Sequence, residues 1–336
     1  MVWKGCDAVM SSAMRLELNK AFQSFKIGAV CVNAREHRHF VSYDAMIKTG
    51  HRVAEIKKYI DEISLYLKTK SNLTCKLIPE EGVVRLQGTR GDSKALCLKE
   101  LYKRERNNLR GFFPLVIGET DHGMPLHLDM SDNPHLLIAG TTGSGKSVLL
   151  HNLIYNALNF QNIDLYLVDP KRVEFSSYKR KAKVICNDLN ATIKMLEKIQ
   201  KIMEKRYAIM SRRGVNDLKK KPNLFSKILI VIDEVADLIT DDKNNLFERL
   251  LVKIAQKSRA CGIHIIVATQ RPSVDILTGL IKANFPARIA CRTSSRVDSQ
   301  VIIDRPGAEL LAGKGDAILI SPSLGEVRFQ SAYIAP

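Results

Sequence analysis

The residues best suited to chemistry form an eight-residue run, GTTGSGKS, at positions 140–147. It fits the pattern G-x-x-x-x-G-K-[ST]. Gly140, Gly143 and Gly145 let the backbone curl so that successive N–H groups face inward toward phosphate oxygens, and Thr141, Thr142 and Ser144 complete the loop. Lys146 is expected to reach the β- and γ-phosphates of a nucleotide, and the Ser147 hydroxyl to bind Mg2+. A second chemical group follows the apolar run 228–232, which stops at Asp233 and Glu234. A strand ending in two carboxylates delivers them to a sheet edge. Beside a phosphate loop, Asp233 is expected to hold Mg2+ through water, and Glu234 to polarise the attacking water as general base. Without the loop, such a pair would read only as a turn or a helix cap. With it, the combination implies hydrolysis of MgATP more than storage of a nucleotide.

Two further residues keep two readings each on spacing alone. Gln270 follows the apolar run 263–269 and is either a γ-phosphate or water-orienting amide, or part of the turn before Arg271 and Pro272. Arg259 falls in the last turn of a helix expected over 246–259, with Gly262 as its stop. A cation there is favoured by the helix dipole and needs no function. The other reading is an arginine finger that reaches a neighbouring copy's ATP.

These side chains need a scaffold, and the second half of the sequence supplies one. Apolar runs at 135–139, 163–168, 228–232, 263–269, 287–291 and 317–320 alternate with longer helical stretches. Continuously apolar strands separated by helices specify an α/β fold with a parallel sheet covered on both faces. The C-terminal strand ends then share one edge, where ligands bind. The phosphate loop lies between the run 135–139 and a helix expected over 148–159, whose N-terminus adds a positive dipole end. Residues 1–130 read as a small α+β region. It has an amphipathic helix over 53–67, short strands at 74–78 and 83–86 around the turn 79–82, and a charged helix over 96–109.

The chain has 336 residues, about two domains' worth. Its 45% hydrophobic and 26% charged residues exclude a disordered, collagenous or disulfide-scaffold protein. The net charge of +17 points to a polyanionic partner, nucleic acid or an anionic membrane surface. The excess is +6 before residue 131 and +11 after it, so it is not a tail. No apolar run approaches the ~18–20 residues of a membrane span. Lys4, Asp7 and Glu17 interrupt any signal-peptide core, so a cytoplasmic location is expected. The seven cysteines are scattered, never spaced CxxC, and read as reduced thiols; the eight histidines show no paired-ligand spacing.

Six segments together resemble the FtsK/SpoIIIE family of DNA translocase motors, of the RecA-like P-loop class. They are HLLIAGTTGSGKS (135–147), VDPKRVEF (168–175), ILIVIDEVADL (228–238), AQKSRACGIHIIVATQRPSVDILTGLIKANFPARIA (255–290), SSRVDSQVIID (294–304) and GKGDAIL (313–319). Residues 53–79 and 114–128 look like the family's α subdomain. The resemblance implies an α-like subdomain over 1–130 and a RecA-like motor over 131–336, a mostly parallel sheet flanked by helices. It implies a homo-oligomeric ring, usually a hexamer, that threads double-stranded DNA and moves along it by hydrolysing ATP with Mg2+. Lys146, Ser147, Asp233, Glu234 and Gln270 match the family's positions. Arg259 matches a finger supplied in trans, and Arg296 falls where the family often has a phosphate-sensing Lys. Arg212 and Arg213, the run Lys219, Lys220 and Lys221, and Lys282 match channel loops that would contact DNA phosphates. The family's membrane region and its orientation-reading γ domain are expected to be absent, leaving a bare motor suited to a chromosome, plasmid, phage or integrative element. A membrane protein, relaxase or recombinase would then be its partner. The alternatives are a conjugative coupling or DNA-packaging ATPase, and a secretion-type ATPase that moves protein.

Overall fold

The computed structural model describes residues 4–69, 71, 73–90, 94–160 and 162–334, with side chains from residue 11 onward. The described residues form two compact units.

The first unit takes in the chain through residue 95, with 120–124 and 310–312. It contains α1 (Lys4–Ser24), β1 (Ala29–Glu36), β2 (Phe40–Ile47), α2 (Val53–Lys58), α3 (Ile60–Tyr66), β3 (Thr74–Ile78) and β4 (Val83–Thr89). The strands form an antiparallel sheet in the order β1-β2-β4-β3. Its core joins Leu18 and Phe22 of α1 to Tyr43, Ile56, Ile63, Val84 and Leu86. The helix expected over 53–67 is two helices. Tyr59 leaves helical geometry at φ −110° and ψ 20°, and its ring stacks on Phe25 at 5.6 Å. The strands expected at 74–78 and 83–86 are β3 and β4, joined through Gly82 at φ 67°.

The second unit contains α4 (Leu98–Glu105), β5 (Pro114–Thr120), β6 (Pro125–Asp129), β7 (His135–Ala139), α5 (Lys146–Leu158), β8 (Ile163–Val168), β9 (Val184–Cys186) and α6 (Leu189–Arg212). It continues with β10 (Lys227–Ile232), α7 (Val235–Asp241), α8 (Leu246–Lys257), β11 (Ile263–Thr269), α9 (Gly279–Asn284), β12 (Ala287–Cys291), α10 (Arg296–Ile303), β13 (Asp316–Ser321) and β14 (Gly325–Ser331). Ten strands form one sheet in the order β6-β5-β14-β13-β12-β7-β11-β10-β8-β9. From β12 to β9 every pairing is parallel. β7, β10 and β11 are mostly apolar, and nearly all their residues are buried, including His135 and His264. The sheet is therefore mostly parallel, with antiparallel strands added on one side.

The domain change expected at residue 130 falls instead between residues 95 and 96 for the main chain. Residues 114–129 supply β5 and β6, and β5 borders β14 in the large sheet. Leu115, Ile117, Leu126 and Leu128 bury in the same core as Leu149, Leu150 and Leu153 of α5. Asn152 and Asn156 of α5 add hydrogen bonds to the backbone of Ile117, Ala332 and Val116. Those strands are thus held by the large unit's own helix.

Candidate functional site

The site is built where four parallel strands end. β11 lies between β7, which leads into the phosphate loop, and β10, which ends at the acidic pair. The loop is pinned from two sides. Thr141 donates through both its N–H (2.9 Å) and its hydroxyl (3.0 Å) to the carbonyl of Arg292, just beyond β12. Gly315 donates to the carbonyl of Ser144 at 2.8 Å. Gly145, at φ 105°, has to be glycine, since a Cβ there would lie 2.4 Å from the Gly315 nitrogen. Among the described residues, the N–H groups of Gly143, Gly145, Lys146 and Ser147 meet no acceptor. Free donors at the start of α5 are what a phosphate chain takes, so the residues present fit a nucleotide.

Lys146 and Asp233 are both buried and form an ion pair at 2.7 Å; Nζ also donates to the Asp233 carbonyl at 2.9 Å. Burial makes this pairing necessary, because either charge alone in the interior would be costly. Glu234 is buried too and caps α7. It accepts from the Thr269 hydroxyl at 2.6 Å and from the Gln270 N–H at 3.0 Å, and Lys171 stands 3.8 Å away. The Gln270 side chain accepts from the Thr142 hydroxyl at 2.9 Å. Lys146, Asp233, Glu234 and Gln270 therefore come together at one edge, with the phosphate loop. Ser147 donates to Glu174 at 2.9 Å. Cys291, packed where a Cβ on Gly140 would lie, has its thiol pushed up to about 12 by burial and fills space only.

The remaining predicted residues lie apart. Arg296 is exposed at the first turn of α10 and makes no hydrogen bond or ion pair among the described residues; the loop is held by Arg292, four residues earlier. Arg259 is not in a helix running to 259. Helix α8 ends at Lys257, and Arg259 opens a single 3-10 turn stopped by Gly262 at φ 73°. It is exposed and donates to the Ser131 carbonyl at 3.2 Å. It borders a groove of about 630 Å³ lined by Tyr207, Asp217, Gln256 and Lys257. Arg259 precedes β11 and Gln270 follows it, so the strand separates them. Seven residues span about 23 Å, beyond the reach of a side chain. Arg212, the last residue of α6, and Arg213, Lys220 and Lys221, between α6 and β10, are exposed on the same side as Arg259. Lys219 pairs with Asp132, and Lys282 with Asp304.

Sequence reasoning assigned no role to Glu174, although it lies in the quoted stretch 168–175. The available signal was its place after β8, next to β10.

A protein-family model described as the FtsK/SpoIIIE family matches residues 98–227 and 219–274. The chain belongs to the FtsK/SpoIIIE family. Within it, the chain is similar to the DNA translocase FtsK of Chlamydia muridarum, at 34% identity over 343 residues, covering 94% of this chain and 43% of that one. It is also similar to the DNA translocase SftA of Bacillus subtilis, at 33% over 346 residues, covering 98% and 36%. The chain thus spans less than half the length of these FtsK/SpoIIIE relatives. Among solved structures, the pCW3 conjugation coupling protein TcpA, in a monomer form with ATPγS, matches with a TM-score of 0.68 and 25% identity over 96% of each chain. The cytoplasmic domain of the Thermomonospora curvata type VII secretion ATPase EccC matches with a TM-score of 0.63 and 26% identity, over 72% of this chain and 32% of that one. The α/β architecture of this FtsK/SpoIIIE chain is that of a P-loop ATPase. No described helix is long and apolar enough to cross a membrane.

Proposed function

We propose that the chain is an ATP-hydrolysing motor that moves double-stranded DNA, working in a ring of identical copies, six by family resemblance. One observation carries the reading: the phosphate loop, Lys146, Asp233, Glu234 and Gln270 converge on one sheet edge, while the exposed Arg259 stands on the other. In a single chain Arg259 has no path to the site. A neighbouring copy can offer it one.

The residues act as follows. The free N–H groups of the loop bind the phosphate chain, and Lys146 leaves Asp233 for the β- and γ-phosphates. Ser147 and Asp233 would hold Mg2+, which neutralises charge on the phosphates when bound. Glu234, held by Thr269 and the Gln270 N–H, takes a proton from the attacking water. The Gln270 side chain, joined to Thr142 of the loop, links that water to the γ-phosphate position. Arg259 from the adjoining copy stabilises charge on the transferring group, so turnover depends on ring assembly. Arg212, Arg213, Lys219, Lys220, Lys221 and Lys282 are the proposed contacts to DNA phosphates, giving affinity without sequence reading.

The net charge of +17 and the DNA translocases among its relatives support DNA as the substrate. A second reading, a coupling ATPase in conjugative DNA transfer, is favoured by the end-to-end match to TcpA. The test is ATP turnover with and without long duplex DNA across a salt series. Stimulation by duplex that fades as salt rises supports the motor. Turnover indifferent to duplex at every salt contradicts it.

A further inference from the structure

The stretch 168–175 is folded with unusual care for a surface connection. Asp169, at the end of β8, is 1% exposed. Its Oδ2 accepts from the Phe175 N–H at 2.9 Å, and its carbonyl accepts from Arg172, which sits at φ 60°. Phe175 is fully buried. These fixed points carry the intervening Glu174 over the first turn of α5. There its Oε1 accepts from the Ser147 hydroxyl at 2.9 Å. Its Oε2 lies 3.4 Å from His151 Nε2. His151 is buried one helical turn after Ser147, on the same face of α5. On its other side, His151 Nδ1 is 2.9 Å from the Tyr178 hydroxyl, and the two rings stack with centroids 5.6 Å apart. The contacts are mutually compatible when Tyr178 O–H faces Nδ1, Nε2–H faces Glu174, and Ser147 O–H faces the other carboxylate oxygen.

We infer that Glu174, steadied by His151 and Tyr178, is a positioning residue for the metal-binding hydroxyl of Ser147. A hydroxyl has one hydrogen and two lone pairs. By taking the hydrogen, Glu174 leaves the lone pairs of Ser147 free for the cation. Among the described residues, Glu174 is the acceptor of the Ser147 hydroxyl. Ligand-orienting partners of this kind are worth about 10–100-fold in metal affinity.

The inference rests on the proposed MgATP site, and the experiment separates the two. A fluorescent, non-hydrolysable ATP analogue is titrated onto the full chain in EDTA, then MgCl2 is added and the midpoint of the Mg2+-dependent tightening is read. Glu174→Ala should leave the metal-free affinity unchanged and move the midpoint up by about 10–100-fold. Glu174→Gln, which keeps an acceptor for Ser147, should stay close to the wild-type midpoint, and His151→Ala should fall between. The metal-free titration reports the fold of each variant, and the comparison of Glu174→Gln with His151→Ala stands if Glu174→Ala does not fold. An unchanged or lowered midpoint in Glu174→Ala, or in His151→Ala where that comparison decides, overturns the positioning role while leaving the nucleotide site intact. A wild-type chain that binds no analogue overturns both.

Discussion

The two edges of the parallel sheet are opposites in how they treat charge. At the C-terminal edge charge is turned inward. Lys146 is spent on Asp233, Glu234 on Thr269 and Gln270, and Glu174 on Ser147. At the N-terminal edge, Arg259, Arg212, Arg213, Lys220 and Lys221 face solvent, and among the described residues no carboxylate pairs with these five, while Lys219 of the same loop pairs with Asp132. Free cations on one edge and a pre-arranged anion-binding loop on the other are what two copies stacked side by side would use. That contrast supports the proposal that one copy's Arg259 completes the site of another copy, since the strand β11 keeps the two apart within one chain.

The largest effect is expected at Arg259. Arg259→Ala should bind ATP as wild type does and lose roughly 10³–10⁵ in turnover, read by steady-state hydrolysis beside a nucleotide titration. Turnover near wild type would make the two edges independent. Glu234→Gln tests the other edge. It should lose roughly 10²–10⁴ in rate with binding retained, because its Oε1 still accepts from Thr269 while the general base is gone. Full activity in that variant would remove Glu234 from the chemistry. The smallest effect concerns the loop before β10. Replacing Lys220 and Lys221 together with Ala should flatten the logarithmic salt dependence of duplex binding by up to about 0.9 for each phosphate no longer neutralised. An unchanged slope would place the DNA elsewhere.

How far the sequence could be read follows from whether an interaction is local. The phosphate loop and the acidic pair were legible because each lies at a strand end, in a fixed order of residue types. Gln270 was legible as a strand end, and its bond to Thr142 needed β11 placed beside β7. The expected boundary at residue 130 differs from the division after residue 95 because β5 lies beside β14, about 200 residues later, and no local signal carries that pairing. The helix over 53–67 broke at Tyr59 because stacking on Phe25 overrides the apolar periodicity. Glu174 stayed hidden because its reach to Ser147 depends on Arg172 taking a left-handed backbone, which arginine seldom adopts. Arg259 keeps two readings on spacing alone, and the family resemblance favours the finger; its place at the strand's other end could not be read without β11.

Whether one copy's N-terminal edge completes the next copy's site is decided by a mixing experiment. Arg259→Ala and Glu234→Gln copies are each assayed alone and then combined in equal amounts with duplex DNA. In the mixture, some junctions pair an intact Arg259 from the second variant with an intact Glu234 from the first. Completion in trans gives two nearly inactive samples and clear recovery of ATP turnover on mixing. A mixture as inactive as its components, under conditions where copies associate, would contradict it.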